Sequence, residues 1–178
     1  MKTRTFLELW EVSDKVEGWF TEEEAKAMYQ MIKSVPKEGT VVELGSYCGR
    51  SSIIIGALAK DIGFDFYCVD DFSSGEVEDK FKHNMEWAMA RYKLIRGKST
   101  EVQDQLPNNI DFIFFDTIHI YEHQKKECDI WLPKMKKEGL VAFHDYGGKY
   151  HGVKTAVDER EELQQVAISY STLFAKVK

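Results

Sequence analysis

Five short apolar runs, at 40–44, 64–69, 92–95, 110–115 and 139–143, constrain the fold of this chain more than any other feature. Each has the length of a strand, and most are nearly continuous rather than alternating, the pattern of strands buried on both faces of a parallel sheet. Helix-sized segments separate them. Ser51 and Ser52 are placed to cap a helix running toward Asp61, with Gly63 as its left-handed terminator. From Tyr121 onward Cys128, Trp131, Leu132 and Met135 recur at helical spacing, with Lys125, Lys126, Glu127 and Asp129 on the other side. Pro133 and Gly139 mark the turn into the fifth run. Ahead of the first run, Thr21 and Glu24 have capping-box spacing and open an N-terminal helix. After His151, GVKTAVDEREEL reads as a helix, and VAISYS and LFAKVK as two last strands joined by a tight turn. Strand followed by helix, repeated, gives an α/β fold: a doubly wound, mostly parallel Rossmann-like sheet with helices on both faces and a C-terminal antiparallel hairpin.

A length of 178 residues suits a single domain over 1–178, with N-terminal helices at 1–37 and the sheet core at 38–178. The polar stretch 71–78 reads as a mobile loop. Twenty-four basic against 30 acidic residues leave a net charge of −6, which disfavours nucleic acid and anionic lipid as partners. No apolar stretch approaches the roughly 20 residues that span a bilayer, and the N-terminus mixes charges into its apolar positions, so the expected location is cytoplasmic. Cys48, Cys68 and Cys128 are odd in number and lack C-x-x-C spacing, which reads as buried reduced thiols. The expected partners are a small-molecule substrate and a second copy of the chain.

The chemistry starts at VVELGSYCGRSS, a strand ending at Glu43, a turn holding Gly45 and Gly49, and a helix start. Ligands of open α/β sheets sit beyond such strand ends, where glycine admits close backbone approach and a helix N-terminus offers free N–H groups. A dinucleotide fingerprint needs glycine where Tyr47 stands, so NAD ranks low. Glu43 would repel a pyrophosphate and suit a cationic ligand carrying an amino group or a sulfonium. Asp70, 25 residues after Gly45, ends the second run where such folds hydrogen-bond ribose hydroxyls; Asp71 assists it or caps the loop. Gly97 and Ser99 follow the third run and could line an adenine pocket. Asp116 with His119 after the fourth run, and His144 with Asp145 after the fifth, meet at the same sheet edge.

These segments, with YCVDDF, DFIFFDTIHIYEHQKKECDIWLPKMKKEGLVAFHDY and GVKTAVDE, resemble in order and spacing the class I S-adenosylmethionine-dependent methyltransferases, particularly the small bacterial branch related to sugar and antibiotic O-methyltransferases. The resemblance covers nearly the whole chain. It implies a seven-stranded sheet and N-terminal helices that lid the pocket. The methionine part of S-adenosylmethionine would lie against Glu43, Gly45, Ser46, Tyr47, Gly49, Arg50 and Ser51, its ribose at Asp70 and its adenosine side at Ser99. Asp116 would face the reaction centre. Metal-dependent relatives hold a divalent cation, here Mg²⁺ or Mn²⁺, at positions matching Asp116, His144 and Asp145. Relatives often carry Asp-Gly-Asp-His after the fourth strand, whereas here Thr117 and Ile118 replace the glycine and second acid.

The expected activity is transfer of a methyl group to a small-molecule hydroxyl, sugar or natural-product-like, with His144 or His119 as base and Asp116 beside it. A metal-dependent hydrolase or phosphoesterase using the same carboxylates, and a cofactor-binding module without catalysis, are the rival readings. His119 competes for a role as helix cap, His123 is expected on the solvated side of its helix, His83 on the surface, and His151 in an exposed loop or over the site. Trp131 is expected in the core. Trp19, Phe20 and Tyr29 are candidates for a substrate-facing wall.

Overall fold

A computed structural model describes residues 3–73 and 75–178. The five apolar runs become strands β1 (Thr40–Leu44), β2 (Asp65–Asp70), β3 (Lys93–Arg96), β4 (Ile110–Phe115) and β5 (Met135–Phe143), and the C-terminal hairpin supplies β6 (Leu163–Ser169) and β7 (Thr172–Val177). Helices α1 (Phe6–Ser13) and α2 (Glu22–Ile32) precede the sheet; α3 (Arg50–Ile62), α4 (Val77–Trp87), α5 (Tyr121–Trp131) and α6 (His151–Asp158) join its strands. The strand order is β3-β2-β1-β4-β5-β7-β6, with the first five parallel, β7 antiparallel to β5 and β6 antiparallel to β7. Among the described residues, no helix is long and apolar enough to cross a membrane.

Local chemistry explains most boundaries. Thr21 and Glu24 form the expected capping box of α2, and Gly63, left-handed at φ 98°, ends α3. Several boundaries differ from the sequence reading. Helix α3 starts one residue early behind Gly49, because the Ser51 and Ser52 hydroxyls turn inward onto Glu43 instead of capping the helix. Strand β5 begins at Met135, since Ile110 pairs with Met135 before a register irregularity, and Gly139 therefore lies within the strand rather than at its entrance. Helix α6 stops at Asp158 and the chain turns into β6 before the end of the expected helix. The expected loop at 71–78 gives way to α4 at Val77, and Ser74 lies outside the described residues.

The sheet separates two apolar layers. Val41, Phe66, Phe112, Phe114 and Phe174 face a layer shared with α1, α2 and α3, while Val42, Ile113, Phe115, Phe143 and Leu173 face Cys128 and Trp131 of α5 and Val153 and Val157 of α6. All three cysteines are buried and unbridged, as expected.

The chain leaves β1 toward one edge of the sheet and β4 toward the other, so a crevice opens between the loops that follow them. The two loops meet backbone to backbone. Gly45, at φ +89°, is so close to the loop after β4 that a Cβ there would stand 1.9 Å from the Asp116 carbonyl oxygen. Gly45→Ala is therefore expected to destabilise the fold by about 2 kcal/mol or more through strain and a main-chain clash. Thermal denaturation checks this, and an unchanged melting temperature would contradict the close approach.

Candidate functional site

A cavity of about 340 Å³ fills that crevice, at the lower end of the range for small organic ligands. Its wall is drawn from four strand ends: Gly45, Ser46, Tyr47, Arg50 and Ser51 after β1, Val69 and Asp70 at the end of β2 with Asp71 beyond it, Gly97, Lys98 and Ser99 after β3, and residues 116–119 after β4. His123 of α5 and residues 17–20, between α1 and α2, complete it.

Asp70 organises the turn. Its Oδ2 accepts the Ser46 and Tyr47 backbone N–H groups at 2.9 and 2.8 Å, and Oδ1 accepts that of Phe72 at 2.8 Å. Lone-pair capacity remains on Oδ1 toward the cavity. Asp71 also reaches the cavity while accepting the Ser73 N–H. Glu43 is placed differently from the sequence reading: it is fully buried beneath the turn and does not line the cavity. Its carboxyl accepts the hydroxyls of Ser46, Ser51 and Ser52. Burial pushes its pKa up to about 7, against the pull of those three donors. Gly49 likewise sits behind the wall as the residue preceding α3.

Arg50 reaches the cavity, but its guanidinium is committed to the protein. It donates to the Asp14, Val16 and Phe20 carbonyls and to the Asp14 carboxylate, fastening the 14–20 segment over the crevice. Trp19, 79% exposed, lies over Tyr47 with ring centroids 5.6 Å apart. The Tyr47 hydroxyl donates to Glu17, which pairs with Lys80 of α4. Trp19 and Phe20 thus join the wall, whereas Tyr29 is buried and donates to the Arg4 carbonyl.

At the β4 and β5 ends, Asp116, His119, His144 and Asp145 each offer one ligand atom, all within 4.8 Å of one another. Asp116 and His119 also line the cavity; His144 and Asp145 lie behind them. His144 Nδ1 is 3.0 Å from Asp116 Oδ1 and 3.3 Å from Asp145 Oδ2, and His119 Nε2 is 3.4 and 3.3 Å from the same two carboxylates. On its far side His144 Nε2 is 3.5 Å from Glu24 Oε1, an ion-pair separation without hydrogen-bond geometry. Glu24 is fully buried and also accepts the Ser171 and Thr172 hydroxyls. Burial alone would lower the His144 pKa, but Asp116, Asp145 and Glu24 outweigh it and push it up to about 12. Burial would likewise raise Glu24, yet His144, Ser171 and Thr21 hold it down at about 2. His144 is an imidazolium among carboxylates.

At the opposite end of the cavity sequence reasoning placed Gly97 and Ser99 but missed the acid behind them. Glu127, expected on the solvated side of α5, is fully buried and accepts the hydroxyls of Ser99 and Thr117, with His123 Nε2 3.2 Å away. His123 accordingly faces the cavity rather than solvent. The available signal was the i,i+4 spacing of His123 and Glu127 on the flank that also carries Cys128. His83 is exposed, and His151 starts α6 beside a second cleft lined by Tyr146 and Lys154.

Residues 42–146 match the model of a family described as a methyltransferase domain. An uncharacterized protein of Sinorhizobium fredii, y4gI, is 27% identical over 123 residues, covering 63% of this chain; the chain spans 14% of the length of that relative. The solved O-methyltransferase NovP superposes with a TM-score of 0.75 at 16% identity, over 90% of this chain and 83% of NovP. The S-adenosylhomocysteine-bound Podospora anserina methyltransferase PaMTH1 gives 0.71 at 15% identity, over 97% and 87%. At such identities the likeness is one of fold.

The buried Glu43 generates a pH dependence with a definite sign. Between the ordinary value of 4.5 and about 7, the folded chain keeps a proton that the unfolded chain has released, so stability falls as pH rises through that window. Denaturation curves of the parent and Glu43→Gln are expected to diverge across it, the parent losing up to about 3 kcal/mol relative to the variant. Parallel curves would show Glu43 ionised throughout.

Proposed function

The chain belongs to the methyltransferase-domain family, and on that premise we propose that it transfers the methyl group of S-adenosylmethionine to a hydroxyl oxygen of a small molecule. One observation carries the reading: the cavity walled by the Gly45 turn and Asp70 is the same cavity into which Asp116 and His119 open. A cradle for the cofactor and a proton-accepting group share one space.

The charges around that space favour the donor. Glu17, Asp70, Asp71 and Asp116 line it against Lys98 and the committed Arg50, which suits a sulfonium and an amino group better than a phosphate. Asp70 has lone pairs left for ribose hydroxyls, and the turn after β1 lets backbone approach the methionine part. Trp19 and Phe20 offer an apolar face at the mouth, where an acceptor ring can lie. Reaction is in-line displacement: the acceptor oxygen forms its bond to the methyl carbon as the carbon–sulfur bond breaks, leaving neutral S-adenosylhomocysteine.

The acceptor proton goes to His119. His144 already carries its proton between three carboxylates, so it orients Asp116 and Asp145 rather than acting as base. With His119 Nε2–H directed at those two carboxylates, Nδ1 is left to accept the hydroxyl proton. Thr117, where relatives often have glycine, gives its hydroxyl to Glu127, so the substitution serves the cavity wall and leaves Asp116 in place.

The same four side chains also fit a divalent cation. Two carboxylate oxygens and two imidazole nitrogens converge; a cation there would take the place of the proton on His144 Nδ1, and Glu24 on the far side of that ring would be the outer carboxylate orienting the ligating imidazole. The nitrogen content favours Mn²⁺ over Mg²⁺. A bound cation would lower the pKa of a coordinated acceptor hydroxyl.

Incubation with S-adenosylmethionine and a panel of hydroxyl-bearing small molecules, read as S-adenosylhomocysteine formed, tests the reading. His119→Ala is expected to lower kcat by about 10²-fold or more while binding S-adenosylhomocysteine as the parent does. A fully active variant would contradict the base assignment. Turnover unchanged between EDTA and added Mn²⁺ would remove the cation from the scheme.

A further inference from the structure

At the end of the cavity away from His119, two hydroxyls and an imidazole converge on a carboxylate that the chemistry above does not use. Ser99 Oγ donates to Glu127 Oε1 at 2.5 Å, and Thr117 Oγ1 donates to the same carboxylate at 2.8 and 2.9 Å. His123 Nε2 lies 3.2 Å from Oε1. The Glu127 side chain is fully buried, and the Trp131 indole N–H fixes the Ser99 main chain by donating to its carbonyl at 3.0 Å. Ser99, Thr117 and His123 all line the cavity.

A hydroxyl has one proton to give. Ser99 and Thr117 give theirs to Glu127, so what their oxygens turn toward the cavity is lone pairs. A ligand atom at Ser99 must therefore bring an N–H or O–H donor. A carbonyl placed there would set lone pair against lone pair, and correcting it would strip a buried carboxylate of a hydrogen bond.

We propose that Glu127 is a positioning residue that sets the hydrogen-bond polarity of this wall, and thereby makes the cavity select a purine with an amino donor at C6, adenine, over the keto purine hypoxanthine. The inference rests on the cofactor reading above and deepens it. The reacting methyl must lie near Asp116 and His119, and the ribose near Asp70, which leaves the wall of Ser99, Thr117 and His123 for the base. Glu127 touches no ligand; it acts through Ser99.

Calorimetric titration of S-adenosylhomocysteine and of S-inosylhomocysteine, which differ at purine C6, tests this. The parent is expected to bind the adenosyl ligand about tenfold to a hundredfold more tightly. In Glu127→Gln the amide can donate to Ser99 Oγ, freeing the hydroxyl proton to turn toward the cavity, so the ratio is expected to fall toward one. Ser99→Ala removes the acceptor without touching the buried acid and is expected to lower the ratio as well, which keeps the test alive if Glu127→Gln does not fold. Loss of packing alone would weaken both ligands together and leave the ratio unchanged. A parent that binds both ligands equally, or a parental ratio retained in Ser99→Ala or in folded Glu127→Gln, overturns the proposal and leaves the cofactor reading standing. A parent that binds neither ligand overturns the cofactor reading and this inference with it.

Discussion

A charged imidazole enclosed by three carboxylates holds this molecule's site together. His144 follows β5 with Asp145 as its chain neighbour, Asp116 follows β4, and Glu24 belongs to α2 in the N-terminal part of the chain. His144 and Glu24 are buried, so losing either of that pair leaves uncompensated buried charge, which costs far more than an exposed ion pair contributes. The arrangement also reaches past the site. Glu24 accepts the Ser171 and Thr172 hydroxyls where the C-terminal hairpin turns into β7, so N-terminal helix, central strands and hairpin are fastened at one place.

The rest of the cavity follows the same rule, that each acid in or behind its wall has its donors. Glu43 has three serine hydroxyls, Asp70 three backbone N–H groups, and Glu127 two hydroxyls. These acids shape the wall by holding its donors in fixed directions. Arg50 applies the converse rule to the segment that covers the crevice, satisfying three carbonyls and a carboxylate with one guanidinium. A cavity built this way is ready for a ligand that brings positive charge and donor groups.

The architecture was legible in the sequence because its signals are local. Continuous apolar runs mark buried strands, Gly63 needs only its own backbone conformation to end a helix, and Thr21 with Glu24 needs only three residues of spacing. The cluster of Asp116, His119, His144 and Asp145 was legible too, because parallel strands deliver their C-terminal ends to one edge. Glu24, Glu43 and Glu127 were not. In sequence Glu24 is an ordinary capping residue, and its partners Ser171 and Thr172 lie at the other end of the chain. Glu127 sits among Lys125, Lys126 and Asp129 and reads as part of a solvated face until the loops after β3 and β4 bring Ser99 and Thr117 onto it. Glu43 lies near the end of an apolar strand and looks poised for a ligand, because nothing in the spacing shows that three serines will enclose it. Burial of an acid is decided by tertiary partners, and spacing along the chain does not name them.

The central claim is that one cavity, between the loops after β1 and β4, seats the methyl donor against the acid–imidazole cluster. A crystal structure of the chain with S-adenosylhomocysteine bound tests it most directly. The account predicts the ligand's sulfur beside Asp116 and His119, its ribose at Asp70 and its base against Ser99. A ligand seated elsewhere, such as the cleft lined by Tyr146 and Lys154, or turned so that its base meets His119, would contradict it.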